Sequence, residues 1–266
     1  MLFSIVIPVY NRPDEVEELL ASLTHQTDDG FEVIIVEDGS TLTCEQVCSA
    51  HADRLNIRYF FKENSGPGGS RNFGAQRAEG DYLLILDSDC VIPENYIKNI
   101  RAELAAEPCD AFGGPDAAHE SFSDMIKAVN YAMTSFFTTG GIRGGRKDTM
   151  EKFHPRSFNM GIRTRVYNDL NGFSDMRYGE DIDFSIRIID SGASVRLFPE
   201  AYVFHKRRTN MRQFFRQIFH SGEARIALWK KHPHSLKVVH FLPSLFVLGT
   251  LTLLALSAFE PRLLWL

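Results

Sequence analysis

The sequence predicts an α/β protein, a mostly parallel sheet flanked by helices. Three observations predict it. Over the first hundred residues, short apolar runs rich in Val, Ile and Phe alternate with segments whose apolar residues recur at helical spacing. The 266 residues are 44% hydrophobic, enough for the core of one large domain with room for an appendage. Each predicted strand ends in polar or aromatic side chains, and ligands of open α/β sheets sit beyond the carboxyl ends of the strands.

The elements follow in order. Residues 2–9, LFSIVIPV, form the first strand, and Pro13 opens a helix whose Val16, Leu19, Leu20 and Leu23 lie on one face. FEVIIVE (31–37) is the second strand and residues 43–55 the second helix. IRYFF (57–61) is the third strand, followed by a glycine-rich loop and a short helix through Ala78. DYLLILD (81–87) is the fourth strand. A strand at 109–113 and a helix near 121–135 come next, then the glycine- and arginine-rich loop TTGGIRGGRK (138–147). RSFNMGIRT (156–164) leads into a short helix. GEDIDFSIRIIDSG (179–192) reads as a helix with an acidic first turn, and SVRLFP and AYVFH are short strands. Residues 210–231 read as an amphipathic helix, with Phe214, Phe215, Ile218 and Phe219 opposed by arginines.

Charge and cysteines narrow the classes. A net charge of −5 gives no reason to expect nucleic acid as a partner. The basic residues are unevenly placed, with Lys206, Arg207, Arg208, Arg212, Arg216, Arg225, Lys230, Lys231 and Lys237 all in the C-terminal quarter, as in surfaces that face membranes or phosphates. Cys44, Cys48, Cys90 and Cys109 show neither zinc spacing nor a disulfide framework, which fits a reducing compartment. Residues 238–259 carry no formal charge apart from a neutral His240. As one helix they would extend about 33 Å, at roughly 1.5 Å per residue, so a transmembrane helix is expected there. The positive-inside rule then puts the preceding chain on the cytoplasmic face of the cell membrane, as a single-pass C-terminal anchor.

The chemistry gathers at the strand ends. In an extended chain Asp87 and Asp89 share a side and can meet one ligand, and a divalent cation such as Mg²⁺ or Mn²⁺ would relieve their repulsion. Capping of the following helix is the other role open to them. Asp38, in VEDGS, can accept a hydrogen bond from a ligand N–H or make a turn. NSGPGGSRNFG (64–74) places Arg71 and Asn72 at a helix start suited to a diphosphate, without being a Walker or dinucleotide loop.

SIVIPVYNR, VIIVEDGST, GPGGSRNFGAQRAEGDYLLILDSDCV, NMGIRTRVYNDLNGF and GEDIDFSIRI closely resemble, in that order, the inverting glycosyltransferases of family 2. The resemblance covers about residues 1–205 and implies the GT-A fold. It implies that Tyr10 stacks on a nucleotide base, that Asp38 binds the base's N–H edge and that Arg71 lies near base or diphosphate. Asp87 and Asp89 would hold metal and sugar nucleotide, with Pro8 and Ser88 adding nucleotide-sugar contacts. Asp181 matches the catalytic base, while Asn159 and Glu180 fall to the acceptor side or the active-site wall. His205 either joins the metal site, touches phosphate or is an ordinary surface histidine. The expected donor is a UDP-sugar, the expected acceptor a glycan or a lipid-linked molecule, and the setting cell-surface polysaccharide synthesis.

On its own residues, Asp181 suits a base opposite the leaving group, and an acidic helix start accounts for Asp183. Processive members carry Q-x-x-R-W; Gln213–Gln217 here reads QFFRQ, so transfer of single sugars is expected. ILDSDCV also resembles the nucleophile motif of haloacid-dehalogenase-type phosphatases, but those place it after the first strand and here three strands precede it. A catalytically silent sugar-nucleotide binding module is the third reading, opposed by the presence of Asp89 and Asp181. The expected organisation is a catalytic domain at 1–208, an amphipathic membrane-proximal region at 209–237 and a transmembrane helix at 238–259.

Overall fold

In the computed structural model, the described residues are 1–117, 131, 153–205 and 211–259. The helix expected near 121–135 and the loop at 138–147 lie outside them, residue 131 excepted. Two compact units divide the chain, Met1–Gln217 and Ile218–Leu266.

The first unit holds a seven-stranded sheet in the order β3-β2-β1-β4-β8-β6-β9. Its strands are β1 (Phe3–Val9), β2 (Phe31–Asp38), β3 (Ile57–Lys62), β4 (Tyr82–Leu86), β6 (Ala111–Gly113), β8 (Asn159–Arg163) and β9 (Val195–Leu197). β1 pairs in parallel with both β2 and β4, β2 with β3, and β6 with β9; β8 alone runs antiparallel to its neighbours. β5 (Cys90–Val91), β7 (Asp116–Ala117) and β10 (Val203–His205) make a small second sheet in the order β5-β10-β7.

Strand alternation sorts the core into two layers. Phe3, Ile5, Ile7 and Val9 of β1, with Leu84 and Leu86 of β4, meet the buried faces of α1 (Pro13–Leu23), α2 (Glu45–His51) and α4 (Tyr96–Ala106). Val6, Leu83 and Ile85 point the other way, toward α3 (Gly66–Ala75), α5 (Thr164–Asp169) and α6 (Glu180–Asp190). Glycine lets one close contact form between strands. Gly161 of β8 lies opposite Phe112 of β6, and a Cβ there would enter the Phe112 ring, itself stacked on Phe198 at 4.4 Å between centroids.

The helix expected to begin at Arg71 begins earlier, at Gly66, so Arg71 and Asn72 lie in its second turn. Pro67 in the first turn tolerates the missing N–H there, and the Asp38 carboxylate accepts the N–H groups of Ser65 and Gly66, both at 2.9 Å.

The expected transmembrane helix requires a larger correction. Val238–Phe241 is a 3₁₀ turn, and a separate helix, α8, covers only the 16 residues Leu242–Ser257. Pro243 in its first turn lacks the N–H that a continuous helix would need there. At roughly 1.5 Å per residue α8 extends about 24 Å, short of the about 30 Å of a hydrocarbon core. Among the described residues no helix is long and apolar enough to cross a membrane. α8 is nonetheless apolar on every face, with Leu245, Phe246, Leu248, Leu251 and Leu254 exposed. Helix α7 (Met211–Lys231) forms as expected, but Phe215, Ile218 and Phe219 are exposed and the buried positions are Ala224 and Leu228. The side chain of Phe214 lies outside the described part.

Candidate active site

The tips of β1, β2, β3 and β4 end on one side of the sheet, and the turns that follow them carry the polar groups. Asn11 adopts a left-handed φ of 54°. Its Oδ1 accepts from the N–H groups of Thr41 and Leu42, at 2.8 and 2.9 Å, and its own N–H donates to Ser40 Oγ. This ties the tip of β1 to that of β2 and leaves Tyr10 53% exposed, as a base-stacking ring requires. Pro8 lies within β1, paired in register with Val36, and Ser88 is buried in the turn after β4.

Asp38 is placed differently from a free acceptor. Besides the N–H groups of Ser65 and Gly66, its carboxylate takes the Lys62 ammonium. It braces the start of α3, and a nucleobase would have to exchange with one of these partners.

β4 ends at Leu86 and the chain turns, with Cys90 N–H reaching Asp87 O at 3.3 Å, and Asp87 and Asp89 take different partners. Asp87 accepts from Arg71 Nη2 at 2.9 Å. Arg71, 4% exposed, also donates through Nη1 to Glu180 at 2.9 Å and lies 5.1 Å above the Phe173 ring. Burial works against the charged guanidinium, but Asp87 and Glu180 outweigh it and hold the Arg71 pKa above the usual range. Burial pushes the Glu180 carboxyl up, and Arg71 opposes the shift.

Asp89 turns the other way. One oxygen lies 3.0 Å from His205 Nε2 and the other 3.2 Å from Arg12 Nη1. His205 comes from the end of β10, which pairs with β5 directly after Asp89, and its ring stacks on Phe158 at 5.2 Å between centroids. Donor atoms of Asp89, Cys90 and His205 lie within 4.8 Å of one another. A carboxylate and an imidazole fit a divalent ion such as Mn²⁺; the buried Cys90 thiol, directed at Phe158 O, is a softer donor than such an ion prefers. Asp87, also expected among the metal ligands, lies outside this cluster and pairs with Arg71.

Asp181 opens α6 beside Glu180. Arg156 Nε lies 3.1 Å from one of its oxygens, and Ile182 N–H donates to the other. Asp183 is fully buried and serves structure, accepting from Ser174 and Arg187. Asn159, expected at the acceptor side, is also structural. Its side chain is 1% exposed, accepts from Tyr96 Oη at 2.7 Å and donates to Ala201 O at 2.8 Å.

Of the cations on the acids singled out above, the sequence reading named Arg71, on Asp87 and Glu180, and missed Lys62 on Asp38, Arg12 on Asp89 and Arg156 on Asp181. Arg12, two residues beyond Tyr10 at a strand end, carried a positional signal; Arg156, in a loop far from Asp181 in the chain, carried none.

The fold and these strand-end acids define a class, the GT-A glycosyltransferases. Mannosyltransferase PcManGT from Pyrobaculum calidifontis, solved with GDP-Man and Mn²⁺, superposes with a TM-score of 0.70 at 16% identity, covering 96% of this chain and 75% of that one. TarS of S. aureus, residues 1–349 with UDP-GlcNAc, gives 0.61 at 24% identity, covering 79% and 60%. The sequence profile of Glycosyl transferase family 2 matches residues 4–170, more than half of the chain, and the protein belongs to that family. The pre-mycofactocin glycosyltransferase of Mycobacterium tuberculosis is 28% identical over 234 residues, 86% of this chain and 48% of that protein. The chain spans less than half the length of the curated relatives it matches.

Proposed function

We propose that the protein transfers one sugar at a time from a nucleotide-diphosphate sugar to an acceptor hydroxyl, with inversion at the anomeric carbon. The carrying observation is the meeting of Asp89, in the turn after β4, with His205 at the end of β10. Two fold neighbours that bind UDP-GlcNAc and GDP-Man support a nucleotide-sugar donor. Uracil and guanine share a ring N–H, the group that Asp38 would accept, and a UDP-sugar is the favoured donor. Asp89 and His205 would hold the cation, Mn²⁺ in preference to Mg²⁺ because an imidazole is in the set. Bound there, the cation would neutralise the charge that develops on the leaving diphosphate.

The chain's own groups divide the remaining work. Tyr10 stacks on the base, Ser88 lines the donor cleft and the fixed guanidinium of Arg71 faces the donor. Glu180 keeps that guanidinium in place from the active-site wall. Asp181 takes the proton of the acceptor hydroxyl as the hydroxyl attacks the anomeric carbon and the C–O bond to the diphosphate breaks. The sequence QFFRQ favours single transfers over polymer synthesis. A glycan or lipid-linked acceptor in cell-surface polysaccharide synthesis suits this chemistry.

For localisation we favour the cytoplasmic face of a membrane. The anchor would be the exposed apolar helix α8 and the cations Arg225, Lys230, Lys231 and Lys237 that precede it, in place of a crossing helix. Membrane-surface binding by apolar area plus positive charge needs no crossing.

A panel of nucleotide sugars tests the enzymatic reading by thermal unfolding. UDP-sugars should raise Tm with Mn²⁺ present and lose the effect in EDTA, and the transferred sugar should carry an inverted anomeric configuration. A retained anomer, or stabilisation indifferent to metal, would contradict the reading.

A further inference from the structure

Four cations face the acids of the site, and they are not equivalent. Arg71 is 4% exposed, divided between Asp87 and Glu180 and packed on Phe173; it is a fixed part of the wall. Arg12 is different. Its guanidinium is 27% exposed and reaches Asp89 at 3.2 Å from the residue that caps α1. The Asn11 turn, tied to Thr41 and Leu42, fixes the backbone just before it, so the side chain is the part that can move. A second anion is within reach on the same helix, since Glu15 lies 3.5 Å from the same nitrogen.

We propose that Arg12 is an exchangeable counter-charge for Asp89, pairing with its carboxylate in the ligand-free enzyme and expelled from it when a divalent cation binds. The inference rests on the reading of Asp89 and His205 as metal ligands. A cation bound to the Asp89 carboxylate and His205 Nε2 would lie within a few ångströms of the guanidinium as it now stands. Two positive centres at that range repel strongly in a partly buried site, so Arg12 must give up Asp89. Glu15 takes it in part, and the donor's diphosphate offers a stronger partner, because arginine pairs with phosphate through its planar fork. Arg12 therefore opposes metal binding to the empty enzyme and ceases to oppose it once the nucleotide is present. By reciprocity, metal and nucleotide strengthen each other's binding. Arg12 is a positioning residue: it acts on the reaction through the occupancy of Asp89.

The test reads metal binding directly. Mn²⁺ is titrated into the 266-residue chain and followed by electron paramagnetic resonance, for wild type, Arg12→Gln and Arg12→Lys, with and without UDP. Without UDP, Arg12→Gln should bind Mn²⁺ about tenfold more tightly than wild type, the scale on which one neighbouring charge alters a carboxylate's affinity for a cation. Arg12→Lys, which keeps the charge and loses the fork, should fall between. Added UDP should tighten Mn²⁺ binding more in wild type than in Arg12→Gln. Equal or weaker Mn²⁺ binding by Arg12→Gln in the absence of UDP overturns the proposal. Should that variant fail to fold, Arg12→Lys decides by the same criterion. If wild type binds Mn²⁺ but neither variant departs from it, the inference fails and the metal site stands. If no protein binds Mn²⁺ even with UDP, the metal reading falls and takes the inference with it.

Discussion

Asp181, the second residue of α6, has one carboxylate oxygen on the Ile182 N–H and the other beside Arg156. Asp181→Asn keeps the size and removes the basicity, so transfer should slow by about 10² or more, while the donor's Kd, measured by calorimetry, stays within about twofold of wild type. Near-normal turnover would assign the base elsewhere. Asn159 belongs to the opposite category. Truncating it to Ala strands the Tyr96 hydroxyl and the Ala201 carbonyl in the core, at a cost of about 1–3 kcal/mol in chemical denaturation. A change confined to acceptor KM would restore it to the site. This residue shows where a sequence stops being informative. Motif position marked both Asn159 and Asp181, but burial separates them, and burial depends on Tyr96 and Ala201, which come from other elements. The same holds for the cations, since a side chain's charge is legible in the chain and its partner is not.

At the scale of elements, α3 is the helix on which the donor side depends, and it lies close against the sheet. A Cβ on Gly74 would come within 2.5 Å of Val6 Cγ1 and 3.1 Å of Val36 Cγ2. Gly74→Ala should therefore destabilise by about 1–3 kcal/mol through overpacking, in spite of alanine's better helix propensity. A stabilised Gly74→Ala would mean that α3 stands further off. Arg101 of α4 pairs with Asp28 through two nitrogens, at 2.6 and 2.9 Å, tying α4 to the loop between α1 and β2. The hydrogen bond from Arg101 is the main cause that holds the Asp28 carboxyl below its ordinary pKa. Its contribution, about 1 kcal/mol for a charge-assisted pair that is partly exposed, is complete above the ordinary aspartate value of about 3.9. It is lost as pH falls through the lower folded-state value. Asp28→Asn should thus lower the denaturation midpoint at pH 7 and make little difference at pH 2. Strands β1 to β4 and helix α1 were legible because period and composition agree there. The start of α3 was not. Its glycines and proline read as a loop, and what makes them helical is the Asp38 carboxylate on Ser65 and Gly66, a contact across the sheet edge.

At the scale of the whole molecule, the family resemblance in the sequence led to the right fold class, because its motifs sit at the strand ends that define the ligand edge. It did not settle the C-terminal region. A charge-free run of residues has the composition of a crossing helix, yet Pro243 and the preceding 3₁₀ turn divide it, a matter of local geometry that hydropathy does not register. The exposed leucines of α8 still predict membrane affinity. The 266-residue chain should float with vesicles containing anionic lipid, and Leu248→Lys combined with Leu251→Lys should release it without loss of Tm, both side chains being exposed. Wild-type protein that stays at the bottom of the gradient would contradict this.

The central claim is that Asp89 anchors a metal-dependent nucleotide-sugar site, and calorimetric titration of UDP and of GDP addresses it most directly. Wild type and Asp89→Ala are each titrated in Mn²⁺ and in EDTA. The account predicts that wild type binds one of the two nucleotides in Mn²⁺ and that EDTA and Asp89→Ala each weaken this by at least about tenfold, because the diphosphate loses its counter-charge. Equal affinity under all four conditions would contradict it.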